Sequence, residues 1–192
     1  AMAKAGLPTP ELLRQLLDYD PETGVLTWRE RPVSMFGAGS HGQESEAKRW
    51  NRKNAGKQVG SPSQGYLRCG IGGIFILTHR IVWAITYGAW PHGEIDHINH
   101  DRSDNRLVNL RLVTKTENNR NQRKQKNNTS GVTGVIWDKR AQMWRARIYR
   151  DGQWRHLGLF KDFEDASLAR RAAETELGYH VNHGQDLGQV DP

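Results

Sequence analysis

The run from Glu94 to Asn121, EIDHINHDRSDNRLVNLRLVTKTENNRN, constrains the chain most. Thr114-Lys115-Thr116-Glu117 is a capping box: a threonine at the helix start and a glutamate three residues on satisfy each other's exposed backbone donors. It predicts a helix from Lys115 to about Gln125. Just before it, Leu110-Arg111-Leu112-Val113 alternates like a strand, and Glu94 to Ile98 reads as a second short strand. A polar loop to Arg106 lies between them. The predicted order is strand, loop, strand, helix. Asp96 and His97 fall on the first strand and Asn118 in the first turn of the helix.

These residue types suit phosphodiester cleavage. A neutral imidazole takes a proton from water near neutral pH. A hard cation such as Mg²⁺ takes oxygen ligands, keeps several waters and steadies phosphate charge. Asp96 offers a carboxylate and Asn118 an amide oxygen. Neighbours on a strand point to opposite faces, so Asp96 and His97 diverge unless the strand ends there. A second arrangement, a zinc cluster of His79, His92, His97 and His100, is allowed by the His97-x-x-His100 spacing.

Charge points to a polyanionic partner. Between Arg111 and Arg155 twelve Lys/Arg face three acids, a local +9 that exceeds the +7 of the whole chain. Such a stretch gains affinity by releasing counterions from nucleic acid. Cys69 is the only cysteine, which excludes internal disulfides and a cysteine-based zinc ribbon and fits a reducing compartment. No apolar run is long enough to cross a bilayer, and the start lacks a signal-peptide pattern.

Along the rest of the chain, Thr9-Pro10 opens a short helix with Leu12, Leu13, Leu16 and Leu17 on one face. A strand follows around Val25–Trp28. Residues 31–56, rich in Gly, Ser, Lys and Asn, read as a long loop. Val59 to Leu77 reads as strands and hairpins, and Thr78 as the cap of a helix from His79 to Tyr87. Beyond a polar linker, Gly134–Trp137, Met143–Tyr149 and Trp154–Phe160 read as three strands. Phe163–Leu177 reads as a helix with Ala166, Ala169, Ala172, Ala173 and Leu177 toward the sheet. The strand period puts Trp144, Ala146 and Ile148 on one face and Arg145, Arg147 and Tyr149 on the other.

The full run from Asp96 to Asn121 resembles the HNH nucleases of phage and homing-endonuclease type, and DYDPETGVLTW resembles the leaders of such phage proteins. The resemblance implies a ββα-metal core over residues 57–125. It assigns Asp96 and Asn118 as metal ligands and His97 as general base, with Asn109 bracing the loop and orienting His97 by hydrogen bonding. Many relatives have His where this chain has Asn118, which favours Mg²⁺ or Mn²⁺ over Zn²⁺. His100 stands where relatives commonly have Gly.

Residues 130–177 resemble the AP2 DNA-binding domain, a three-stranded antiparallel sheet packed on one helix; the matching text is SGVTGVIWDKRAQMWRARIYRDGQWRHLGLFKDFEDASLARRAA. The resemblance places Arg140, Arg145, Arg147, Tyr149, Trp154 and His156 toward duplex DNA. Arg120, Arg123 and Lys124 would follow the backbone, and Arg102, Arg106 and Arg111 would clamp phosphate near the cut.

The resemblances thus imply an α+β fold: an HNH core plus an AP2-like module. The domains are a leader with a long loop (1–56), the core (57–125), a linker (126–131), the DNA-binding module (132–180) and a frayed tail (181–192). The expected activity is hydrolysis of duplex DNA to a 5′-phosphate and a 3′-hydroxyl, in the cytoplasm of a bacterial host, by a phage-encoded protein without a membrane partner. A monomer with one centre would nick, and a double-strand break needs a dimer or two visits. The alternatives are a non-catalytic DNA-binding regulator with a decayed core, or an RNA-binding protein.

Overall fold

The computed structural model describes residues 6–37, 39, 42–122, 124, 127–150 and 152–184. Among the described residues it is a mixed α+β structure with four small antiparallel sheets, and the chain divides into two compact units, Ala1–Val113 and Thr114–Pro192. None of its described helices is long and apolar enough to cross a membrane.

The first unit begins with helix α1 (Pro10–Leu16), whose Thr9 hydroxyl accepts from the Leu12 N–H at 3.2 Å. Leu17, expected to prolong its apolar face, instead starts strand β1 (Leu17–Tyr19), which pairs with β2 (Leu26–Trp28). Leu13, Leu16, Leu17 and Leu26 are buried in one core with Val59, Cys69, Ile71, Ile76, Ile81, Val82, Ile95 and Leu110. Burial pushes the Cys69 thiol up to about 12, so it packs as an inert apolar group.

Residues 31–56, expected as a long loop, contain helix α2 (Gln43–Asn54). Its sequence has little apolar period, and two other effects hold it. Glu44 and Glu46 in the first turn and Arg52 and Lys53 in the last complement the helix dipole. Trp50 packs edge-on against Trp28 at 5.6 Å, with the Arg31 guanidinium 3.8 Å from the Trp50 ring. Asn51 completes the anchor, accepting from the Arg31 N–H and donating to its carbonyl.

Strands β3 (Ser61–Ser63), β4 (Tyr66–Ile71) and β5 (Ile74–Leu77) form a meander feeding helix α3 (Thr78–Tyr87). Thr78 is the first residue of α3 rather than its cap: Leu77 occupies the cap position, and the Thr78 hydroxyl donates to the Leu67 carbonyl at 3.1 Å. Gly88, left-handed at φ 71°, ends the helix. Strands β6 (Glu94–His97) and β7 (Leu110–Val113) then pair with Asp96 opposite Arg111 and His97 opposite Leu110.

The second unit opens with α4 (Lys115–Asn119). The capping box is present: Thr114 Oγ1 accepts from the Glu117 N–H, and Glu117 Oε2 accepts from the Thr114 N–H at 2.7 Å. The helix is one turn, well short of the expected Gln125. Tertiary bonds override it: the Arg120 carbonyl accepts from the His180 N–H and the Gln122 carbonyl from the Gly184 N–H. These bonds also tie down His180 and Gly184, and residues 181–184 begin the expected frayed tail.

Strands β8 (Val135–Asp138), β9 (Met143–Arg150) and β10 (Gln153–Phe160) form a sheet with β9 central. Helix α5 (Phe163–Glu176) packs on one face, where Val135, Ala146 and Ala166 are buried with Trp144, Leu157, Phe160 and Phe163 around them. Ala172, expected toward the sheet, is exposed, and Arg170 is buried instead. The Arg170 Nε donates to the Thr133 carbonyl at 2.8 Å and its NH2 pairs with Glu174 at 3.0 Å.

Candidate active site

His97 ends β6, 4% exposed, in a wall of rings: His79 lies 5.0 Å away edge-on and Tyr66 5.9 Å away. Its Nε2 lies 3.3 Å from the Asn105 side-chain oxygen. Burial lowers its pKa, opposed by the Asn105 hydrogen bond and the charges of Asp96, Asp101 and Asp104. The imidazole is therefore neutral at neutral pH, the form a base needs. His79 is held neutral more strongly, pushed down to about 3 by burial, with His97 and Arg80 adding to it.

Asp96, 7% exposed, faces its cross-strand neighbour Arg111. Arg111 Nε and NH2 both donate to Asp96 Oδ2, at 2.9 and 2.7 Å.

The loop between the strands is tied by its own polar side chains, which is why a polar segment holds a fixed shape. Asn109 spans it: Oδ1 accepts from the Asn99 N–H at 2.9 Å and Nδ2 donates to the Asp104 carbonyl at 2.8 Å. The Asp104 carboxylate accepts from Asn99 Nδ2 and from Arg106 Nε and NH2. The Arg106 hydrogen bond holds the Asp104 carboxyl below its ordinary range. His100 adopts φ 65°, the left-handed conformation that glycine enters without strain.

Asn105 is the residue that sequence reasoning missed. It is 2% exposed, donates from Nδ2 to Thr78 Oγ1 at 3.0 Å, and its carbonyl accepts from the Tyr19 hydroxyl at 2.9 Å. Gly24, at φ 75°, lets the β1–β2 turn press against the same peptide. A Cβ there would lie 2.8 Å from the Asn105 carbonyl carbon. Asn105 belongs to a run, SDNR, that reads as plain turn, and nothing in its spacing marks it as buried.

The expected phosphate clamps are engaged within the protein. Arg106 is bound to Asp104 and Arg111 to Asp96, while Arg102 lies over the Tyr66 ring at 4.7 Å and donates to the Gln64 carbonyl. In the second unit, Asn118 lies in α4 with its N–H on the Thr114 carbonyl. Arg120 faces the Tyr179 ring, Lys124 is half-buried, and Arg123 lies outside the described residues.

On the sheet face away from α5, Arg147 stacks on Trp154 at 4.1 Å and Tyr149 meets Trp154 edge-on at 5.4 Å. Arg145 pairs with Asp138, and Arg140 and His156 are exposed.

Among the described residues no group of three or more His, Cys, Asp or Glu is placed to hold a metal ion, so His79, His92, His97 and His100 do not form a zinc cluster. A carboxylate and an amide oxygen are donors that fit a hard divalent cation retaining several waters.

Residues 77–120 match the family model described as HNH endonuclease. The match takes in α3, β6, the tied loop, β7 and α4. The chain is also 40% identical over 76 residues to Protein 3.8 of Escherichia phage T7, covering 39% of this chain and 63% of that protein. It therefore spans less than two thirds of that relative's length. No solved structure matches the chain.

Proposed function

We propose that the chain is a metal-dependent endonuclease that hydrolyses duplex DNA, with His97 as general base. The observation that carries this reading is the neutral, ring-walled imidazole of His97 beside Asp96 inside the HNH-matched segment. His97 takes a proton from water, and the resulting hydroxide attacks phosphorus. The P–O bond to the 3′ oxygen breaks, leaving a 5′-phosphate and a 3′-hydroxyl that takes its proton from solvent. Asp96 and Asn118 supply the oxygen donors for Mg²⁺ or Mn²⁺, and Asn109 keeps the loop in shape. A cation held there would supply charge neutralisation at the phosphate and the leaving oxygen.

The AP2-like reading of residues 132–180 is supported by the order β8-β9-β10, by α5 covering one face, and by Arg147, Tyr149 and Trp154 on the other. In this reading the face grips duplex DNA, with Arg140, Arg145 and His156 beside it and Arg120, Arg123 and Lys124 along the backbone. The likeness to a phage protein supports a phage-encoded nuclease, free-standing or homing, acting in the cytoplasm of a bacterial host.

One observation favours a second reading, a non-catalytic DNA-binding regulator: Arg111 already occupies Asp96 Oδ2, where a cation would bind. The two part on cleavage of supercoiled plasmid with Mg²⁺ or with EDTA. The nuclease gives nicked or linear DNA only with metal. The regulator binds and cuts with neither.

A further inference from the structure

We propose that Asn105 is a positioning residue that fixes the tautomer of His97, placing the ring proton on Nε2 and the lone pair on Nδ1. The inference deepens the reading of His97 as general base and rests on it.

A chain of donors and acceptors runs outward from the Leu67 carbonyl to His97. Leu67 pairs in register with Pro62, which has no N–H to offer. The Thr78 hydroxyl donates to this carbonyl at 3.1 Å. A hydroxyl has one proton, so toward Asn105 the Thr78 oxygen accepts, and Asn105 Nδ2 donates to it at 3.0 Å. The amide then presents Oδ1 to His97 Nε2 at 3.3 Å. A carbonyl oxygen only accepts, so Nε2 carries the proton. A neutral imidazole has one, and the lone pair is on Nδ1.

Reversing the amide is disfavoured twice over. It would set an NH₂ group against a protonated Nε2, or force the proton onto Nδ1. It would also draw the Thr78 hydroxyl away from the Leu67 carbonyl. The surroundings keep Asn105 in place: it is 2% exposed, its carbonyl is held by Tyr19, and the Gly24 turn packs against it. None of these contacts is needed to join β6 to β7, which pair through their own backbones.

The test is the ¹⁵N spectrum of the His97 ring in the full chain without metal at pH 8, read beside plasmid cleavage with Mg²⁺. The expected wild-type result is a protonated-type signal on Nε2 and a lone-pair-type signal on Nδ1. Asn105→Asp keeps an acceptor facing Nε2, so it should keep the tautomer and cut within a few-fold of wild type. Asn105→Ala and Thr78→Val should give mixed tautomers. Cleavage by Asn105→Ala should fall about 10–100-fold, as for loss of a partner that orients a functional histidine.

A wild-type proton on Nδ1 overturns the proposal, and this spectrum needs no variant to fold. So does Asn105→Ala with unchanged tautomer and unchanged cleavage. If His97→Ala still cuts, the general-base reading fails whatever the spectra show. If His97→Ala is inactive and the wild-type proton is on Nδ1, the assignment of Asn105 alone fails.

Discussion

Arg111 and Asp96 face each other across the β6–β7 pair, and both Nε and NH2 of the arginine donate to a single carboxylate oxygen. The Asp96 side chain is 8% exposed and that of Arg111 30%. Removing the arginine leaves a nearly buried carboxylate without this partner, whereas removing both charges does not. Arg111→Gln should therefore cost about 1–3 kcal/mol of unfolding free energy, and Asp96→Asn with Arg111→Gln less than the sum of the two single changes. Denaturant titration of the four proteins measures the coupling. Strict additivity would show that the pair contributes nothing.

Acid should weaken the first unit through His79. Its folded pKa, about 3, lies far below the ordinary 6.5, so below 6.5 the unfolded chain binds a proton that the folded chain refuses. Stability is fully present above pH 6.5 and is lost as pH falls from there toward 3, by up to about 1.4 kcal/mol per unit. His79→Gln should flatten the fall in denaturation midpoint between pH 7 and pH 5. An equally steep fall in that variant would remove His79 as its cause.

Gly134 should tolerate no side chain. It adopts φ 81°, and a Cβ there would lie 2.5 Å from the Arg147 carbonyl oxygen and 2.8 Å from Arg170 Nε. Gly131, at φ 87°, has open space around it. Gly131→Ala should cost about 1 kcal/mol, the backbone strain alone. Gly134→Ala should cost about 3 kcal/mol or more, because backbone must move as well. Thermal melts of the two variants give the comparison, and equal melting temperatures would contradict it.

Helix α2 should depend on its anchor rather than on its own propensity. Trp50→Ala removes the contacts with Trp28, Phe36 and Arg31 together. It should cost about 3–5 kcal/mol and expose residues 43–54 to proteolysis. Unchanged protection of that segment would mean that its local charges suffice.

These cases show why some of the structure was legible in the sequence and some was not. The β6–β7 pair, the capping box at Thr114 and the three strands of the second unit follow from alternation and short-range hydrogen bonding, which a sequence displays directly. The α2 helix was missed because its stability comes from Trp28 and Arg31, many residues away. The length of α4 was overestimated because residues 180–184 claim the carbonyls that a longer helix would use.

The candidate site divides in the same way. Asp96, His97 and Asn109 stand out as a spaced pattern, and the structure puts them on one strand and the loop beside it. Asn105 does not stand out, since its weight comes from Thr78 and Tyr19, which approach it only in the folded chain. Nor could the sequence tell that Arg106 and Arg111 are bound to neighbouring carboxylates.

The most direct measurement is cleavage of supercoiled plasmid by wild type and His97→Ala, with duplex binding measured alongside. The account predicts that wild type yields nicked or linear DNA with Mg²⁺ and none with EDTA. It predicts that His97→Ala cuts at least about 100-fold more slowly, the usual contribution of a general base, while binding the same duplex with unchanged affinity. Cutting by His97→Ala at the wild-type rate, or equal loss of cutting and binding, would contradict it.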